Sequence, residues 1–327
     1  MTILVSIQIP IEAWQIPPGQ VARLRAALPH HDIRYAVTPD ERAAGLRDCD
    51  CAFTWILRPE DLAAAPRLRW VHSSAVAVGT LCLDALAARG VVVTNSRGIQ
   101  AAPIAEHVFA LLLAMTRRLP HALERQREAL WAQHEFEGAG VPGMLRGQTL
   151  GIVGLGSIGS AVARLALAFG MDVVAVRRDP ARGGPDGVRA VWGPDGLDGL
   201  LAAADVVVVA APLTGETTAL FDAARIARMK RGARLINIAR GQLVDGAALT
   251  AALASGQLAG AGLDVVEREP LPADDPLWRA PNLVLTPHTS GYRANHWDDV
   301  VDLFVENVRR WDAGQPLLWP VDPARGY

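Results

Sequence analysis

Eleven short runs of β-branched and other apolar residues alternate along this chain with Ala/Leu-rich segments of helical spacing. Strand and amphipathic helix in strict alternation is the pattern of parallel sheets joined by crossover helices, so the chain is expected to be α/β. The runs fall into two series. Five occupy residues 3–9, 33–37, 51–55, 68–73 and 91–95, and six occupy 149–154, 172–176, 204–212, 233–239, 259–266 and 282–287. Each series is enough for a doubly wound sheet. Between them lies a long helix candidate at 102–119, then a segment at 120–147 rich in Arg, Glu, Gln and Gly with too little apolar surface for a core of its own. At the C-terminal end, residues 297–311 are helical by spacing, with Val300, Phe304 and Val308 on one face. That piece is too small to be a domain and must pack on another.

With 327 residues, half of them apolar, the chain can bury two cores of ordinary size. Lys plus Arg is 32 against 34 Asp plus Glu. That balance gives no reason to bind nucleic acid or an anionic membrane, and small partners are expected instead. The N-terminus lacks a basic region ahead of an apolar core, and the apolar run at 108–115 is too short to span a bilayer. Neither export nor a membrane span is expected. Cys49, Cys51 and Cys82 make an odd count with no CxxC pair, which suits a reducing cytoplasm. His30–His31 and Cys49-x-Cys51 are isolated pairs, so no metal site is expected. Lys230 is the single lysine, so nearly all positive charge is arginine, and an argument from any one arginine is discounted accordingly.

In "TLGIVGLGSIGSAVARLALAFG", Gly154, Gly156 and Gly159 form G-x-G-x-x-G between an apolar run and a helix whose Ile158, Val162, Leu165 and Phe169 share a face. The three glycines permit a tight turn, close approach of the backbone to a pyrophosphate, and close packing of helix on sheet. The helix start, from Ser157 and Ile158 onwards, offers free N–H groups to phosphate. About 20 residues on, an acidic residue is expected to hold the ribose of NAD. Here Arg177 stands at that point with Arg178 next to it, and Asp179 comes two places later. An arginine there can pair with a 2′-phosphate, so NADP(H) is favoured over NAD(H), with Asp179 as the ribose contact in the alternative.

The segments "GLGSIG", "FGMDVVAV", "AAPLTGETTALF", "LINIARGQLVD", "GLDVVEREPLP" and "NLVLTPHTSG" resemble, in order and spacing, the D-isomer-specific 2-hydroxyacid dehydrogenase family, which includes glyoxylate/hydroxypyruvate reductases and phosphoglycerate dehydrogenase. The resemblance covers nearly the whole chain. It implies a Rossmann cofactor domain, residues 99–288, inserted into a discontinuous flavodoxin-like substrate domain made of 1–98 and 289–327, with 120–147 as the arm of a homodimer.

It also implies roles. Arg240 would orient the carboxylate of a 2-keto acid and polarise its carbonyl, His288 would be the acid/base, and Glu269 would orient that histidine. A guanidinium offers several fixed donors and keeps its charge, and an imidazole exchanges protons near neutral pH, so the residue types suit those tasks. Asp264 would contact the nicotinamide carboxamide. Pro212 and Thr217, Ile238 and Ala239, and Ser290 and Gly291 would line the rest of the dinucleotide site. "SSAVAVG" takes the place of the family's carboxylate-binding loop, with Ala75, Val76 and Ala77 as substrate contacts, although the family often has glycine where this chain reads Val76 or Ala77. In the arm, Leu130, Trp131 and Phe136 would be buried by a second subunit.

The expected activity is therefore reversible reduction of a small 2-keto acid to the D-2-hydroxy acid. Two competitors stand beside it. Formate-oxidising relatives carry glutamine in place of the carboxylate at Glu269, which counts against formate. A non-catalytic, dinucleotide-sensing co-repressor would need a partner surface, and no strong patch for one is evident.

Overall fold

The computed structural model describes residues 1–9, 11–323 and 326. By their internal contacts they form two compact units, residues 1–99 with 292–327, and residues 100–291.

The first unit is built on a five-stranded parallel sheet of β1 (Thr2–Ser6), β2 (Asp32–Tyr35), β3 (Cys51–Thr54), β4 (Trp70–Ser73) and β5 (Val92–Asn95), in the order β2-β1-β3-β4-β5. Alternate residues of one strand feed opposite cores, as strand geometry requires. Ile3 and Val5 point into one layer, and Leu4 into the other. Helix His296–Asp312 closes the first layer with Val300, Phe304 and Val308, and Phe304 stacks on Phe53 with ring centroids 4.3 Å apart. The terminal segment thus packs on the N-terminal sheet, which explains why it carries an apolar stripe without a sheet of its own.

The second unit holds seven parallel strands, β6 (Thr149–Val153), β7 (Asp172–Val176), β8 (Ala190–Trp192), β9 (Val206–Val209), β10 (Ala233–Asn237), β11 (Leu258–Leu263) and β12 (Leu283–Leu285), in the order β12-β11-β10-β9-β6-β7-β8. All four valines of β9 are fully buried, Val207 and Val209 in one core and Val206 and Val208 in the other. A continuous apolar run is what a strand covered on both faces looks like. Chain direction along the sheet reverses between β6 and β9, the switch point at which open α/β sheets bind ligands beyond the carboxyl ends of their strands.

Two parallel α/β sheets were expected, and two are present. Two local features were not anticipated. β8 spans only three half-buried residues after a Gly/Pro-rich loop, too short to show a period. The long helix ends at Thr116, and a second helix, Leu119–Arg127, begins after Arg118 in the left-handed conformation at φ 55°.

Candidate active site

β6 runs into Gly154, whose φ of +102° few L-residues adopt and where a Cβ would lie 2.5 Å from the backbone nitrogen of Ala211. Helix Ser157–Ala168 then starts at Gly156 with no side chain capping it, and nothing stands within 4 Å of where a Gly156 side chain would be. A Cβ at Gly159 would fall 2.3 Å from the Gly154 carbonyl, so the helix sits hard against the turn. An uncapped helix N-terminus beside open space at the switch point fits a dinucleotide pyrophosphate.

At the end of β7, Arg177 donates from Nη1 to the Gly183 carbonyl at 2.8 Å. Burial pushes its guanidinium below the ordinary range, Arg182 pushes it the same way, and Asp179 works against both. Arg178 lies 3.6 Å from the exposed carboxylate of Glu216. Around the β7 end, positive charge therefore exceeds negative charge, as suits an anionic group. Thr217 donates from its hydroxyl to the Pro212 carbonyl at 2.7 Å, which folds that loop back on itself. Ile238 and Ala239 are buried beyond the end of β10.

Three residues converge in this unit. Glu269 accepts from the Val266 N–H through one carboxylate oxygen (3.1 Å), and its other oxygen lies 2.7 Å from His288 Nδ1. With both oxygens engaged, the carboxylate fixes one face of the imidazole and leaves Nε2 as the working nitrogen. Glu267, the nearby alternative, presents its backbone carbonyl to Gln242. Arg240, half-buried just past β10, is pushed down by burial and up by the field of Glu269. It comes near because Gly241 lets β10 press on the next loop: a Cβ there would stand 1.9 Å from the Val266 carbonyl carbon. A guanidinium held in low dielectric within the field of Glu269 can bind an anion and polarise a carbonyl, and the imidazole that Glu269 aligns can deliver a proton.

Asp264 lies just past β11. Its side chain is only 1% exposed. It accepts from the Thr286 hydroxyl (2.6 Å), the Thr289 N–H (2.9 Å) and the Ser290 N–H (3.0 Å), so it holds the loop that carries His288. Ser290 is buried as well, and its N–H is spent on the same carboxylate. Gly291 ends the unit. His107 and Thr286, which the sequence did not single out, join this cluster, with His107 Nε2 2.9 Å from Thr286 Oγ1. Adjacency of Thr286 to the "PH" dipeptide was a usable signal. Nothing in the sequence relates His107 to it.

Ala75, Val76 and Ala77 belong to the first unit, in the loop after β4. Ala75 donates its N–H to Ser73 Oγ (3.2 Å), and the Val76 carbonyl accepts from Asn95 Nδ2 (2.8 Å). Ala75 and Val76 are half-buried and Ala77 is exposed. Among the described residues no cluster of His, Cys, Asp and Glu could hold a metal ion.

The sequence model for "D-isomer specific 2-hydroxyacid dehydrogenase, NAD binding domain" matches residues 109–290. A glyoxylate reductase of Korarchaeum cryptofilum is 38% identical over 278 residues, covering 83% of this chain and 82% of that enzyme. A D-3-phosphoglycerate dehydrogenase of Mycobacterium bovis is 36% identical over 95% of this chain, which spans 58% of that longer protein. Among solved structures, a D-isomer specific 2-hydroxyacid dehydrogenase of Xanthobacter autotrophicus in complex with NADPH is 34% identical, superposes with a TM-score of 0.80, and covers 99% of each chain.

Proposed function

We propose that this chain, which belongs to the D-isomer specific 2-hydroxyacid dehydrogenase family, reduces a small 2-keto acid to the D-2-hydroxy acid and runs the reverse oxidation, with NADP(H) favoured and NAD(H) possible. The observation that carries the reading is the Glu269–His288 pair with Arg240 in the field of Glu269, in the unit that also carries the glycine turn. In this reading, residues 99–288 are the cofactor domain, and 1–98 with 289–327 are the substrate domain. Residues 10, 324, 325 and 327 lie outside the described residues.

Gly154, Gly156, Ser157, Ile158 and Gly159 would hold the pyrophosphate, and Arg177 with Arg178 the 2′-phosphate. Pro212, Thr217, Ile238, Ala239, Asp264, Ser290 and Gly291 would line the remainder. The NADPH carried by the Xanthobacter relative supports this choice. When bound, the reduced nicotinamide supplies hydride. Arg240 holds the substrate carboxylate and draws electron density towards the carbonyl oxygen, and Ala75, Val76 and Ala77 are the proposed substrate contacts of the first unit. His288 gives its proton to the oxygen as negative charge develops there, and Glu269, 2.7 Å from Nδ1, keeps the ring aligned for that transfer. A carboxylate in that place supports proton transfer and weighs against a formate-type reaction.

We further propose a homodimer through the arm at 120–147. Leu130 and Trp131 are exposed there, Trp131 at 90%. Phe136 is half-buried by its own chain, with the Arg118 guanidinium 5.2 Å from its ring, so it contributes less than the other two. All three cysteines are unpaired, which supports a cytoplasmic setting. No helix among the described residues is long and apolar enough to cross a membrane.

Titration with NADPH and NADH, followed by nucleotide fluorescence, tests the reading before any substrate is guessed. NADPH is expected to bind more tightly, and a screen of 2-keto acids should then consume it. Tighter binding of NADH would leave Asp179 as the ribose contact. Binding of neither would remove the dehydrogenase reading altogether.

A further inference from the structure

We propose that the half-buried His107 and Thr286 and the buried Asp264 form a tether whose task is to hold His288 in its working position. This rests on the reading of His288 as the acid/base. His288 has a φ of +55°, a conformation that a non-glycine residue keeps only when its surroundings impose it. The loop around it is tied almost entirely to one neighbour. The Thr286 N–H donates to the Leu263 carbonyl at 2.9 Å and the His288 N–H to the Asp264 carbonyl at 2.8 Å. The Asp264 carboxylate takes the Thr289 and Ser290 N–H groups and the Thr286 hydroxyl.

The proton order follows from which groups can donate. A carboxylate surrounded by three donors acts only as an acceptor, so Thr286 spends its one hydroxyl proton on Asp264. The 2.9 Å contact between Thr286 Oγ1 and His107 Nε2 then requires the proton to lie on the nitrogen. His107 thus donates to Thr286, Thr286 donates to Asp264, and Asp264 gathers the backbone on both sides of His288. Helix Ala101–Thr116 brings His107 to this point because it lies close on β11, where a Cβ at Gly262 would meet the Leu111 side chain at 3.1 Å. His107 and Thr286 are positioning residues, since their effect reaches substrate only through His288.

Four variants test the tether. Thr286→Val keeps the shape and removes the hydroxyl, and His107→Ala removes the first donor. Thr286→Ser and His107→Gln each keep a donor in place. Amide hydrogen exchange across residues 286–291 should speed up about tenfold in the first two, the scale of one lost hydrogen bond, and return near the wild-type rate in the conservative pair. Exchange across β11 should stay unchanged in all four, which shows the sheet intact. In turnover assays kcat should fall about tenfold in Thr286→Val and His107→Ala with little change in NADPH affinity, and the conservative variants should recover most of it. Wild-type exchange at 286–291 in Thr286→Val overturns the proposal. So does faster exchange with unaltered kcat, or a His107→Gln protein as impaired as His107→Ala. The exchange measurement needs no substrate, so it decides the tether even if the wild-type protein reduces no keto acid, a result that would sink the functional reading instead.

Discussion

At the residue scale, two side chains separate chemistry from binding. His288 touches its partner through Nδ1 and takes no part in the glycine turn. His288→Ala should therefore cut kcat by about 10²–10⁴-fold, the usual worth of a positioned acid/base, and leave the NADPH dissociation constant near wild type. Unchanged turnover would refute the assignment. Arg177 is the converse case. Its guanidinium sits in an excess of positive charge, and Arg177→Ala should weaken NADPH binding roughly 10–100-fold, the range for a charge-assisted hydrogen bond, without weakening NADH. Equal losses for both nucleotides would mean that Arg177 only props the 180–187 loop through Gly183. Glu269, His288 and Arg240 were readable in the sequence because the motif places them just past successive strand ends. The burial of Asp264 was not, because its partners Thr286, Thr289 and Ser290 lie 22 to 26 residues away, and sequence spacing says nothing about which oxygens a folded loop will consume.

At the element scale, the arm at 120–147 shows what periodicity misses. Its polar composition reads as a loop, yet helix Leu119–Arg127 and two short 3₁₀ turns occupy much of it. Arg118 organises them, with Nη1 donating to the carbonyls of Glu135 (2.8 Å) and Gly140 (2.7 Å) while the guanidinium covers Phe136. One side chain thus does what an apolar core does elsewhere, and no hydrophobic pattern reports it. Leu119, Leu123, Leu130, Trp131, Val141 and Met144 remain exposed on this element. An arm ordered from within that leaves so much apolar surface bare calls for a covering surface, and the proposed homodimer would supply one. Light scattering should give a dimer at micromolar concentration, and Trp131→Glu combined with Leu123→Glu should shift it to monomer without loss of NADPH binding. A wild-type monomer would dispose of the arm as an interface.

At the scale of the whole molecule, the two units should respond differently to acid. His72 is fully buried and is pushed down to about 3 by burial. His296 is nearly as buried and is pushed down to about 4, again chiefly by burial and then by Arg293. Both lie in the first unit. Unfolded histidine binds its proton near pH 6.5, whereas these two stay neutral in the folded state. Below pH 6.5 the unfolded chain therefore holds more protons, and stability falls with falling pH until the folded groups titrate. Each contributes a loss of about 2 kcal/mol between pH 6.5 and 5, so the pair removes a large part of the ~5–15 kcal/mol that holds a typical domain. In the second unit, Asp205 is held below the ordinary carboxylate range, chiefly by the Thr149 N–H and Lys230 against the cost of burial. Its contribution is present above the unfolded carboxylate pKa and is lost only as pH drops through a lower value, outside the histidine window. Hydrogen exchange at pH 7 and pH 5 should accordingly show β1 to β5 losing protection while β6 to β12 keep theirs. Both ring nitrogens of His296 are buried without a hydrogen-bond partner among the described residues, so His296→Phe should remove about half of that pH dependence at little cost in packing. Equal loss of protection in both sheets, or none in the first, would show that these histidines do not govern acid stability.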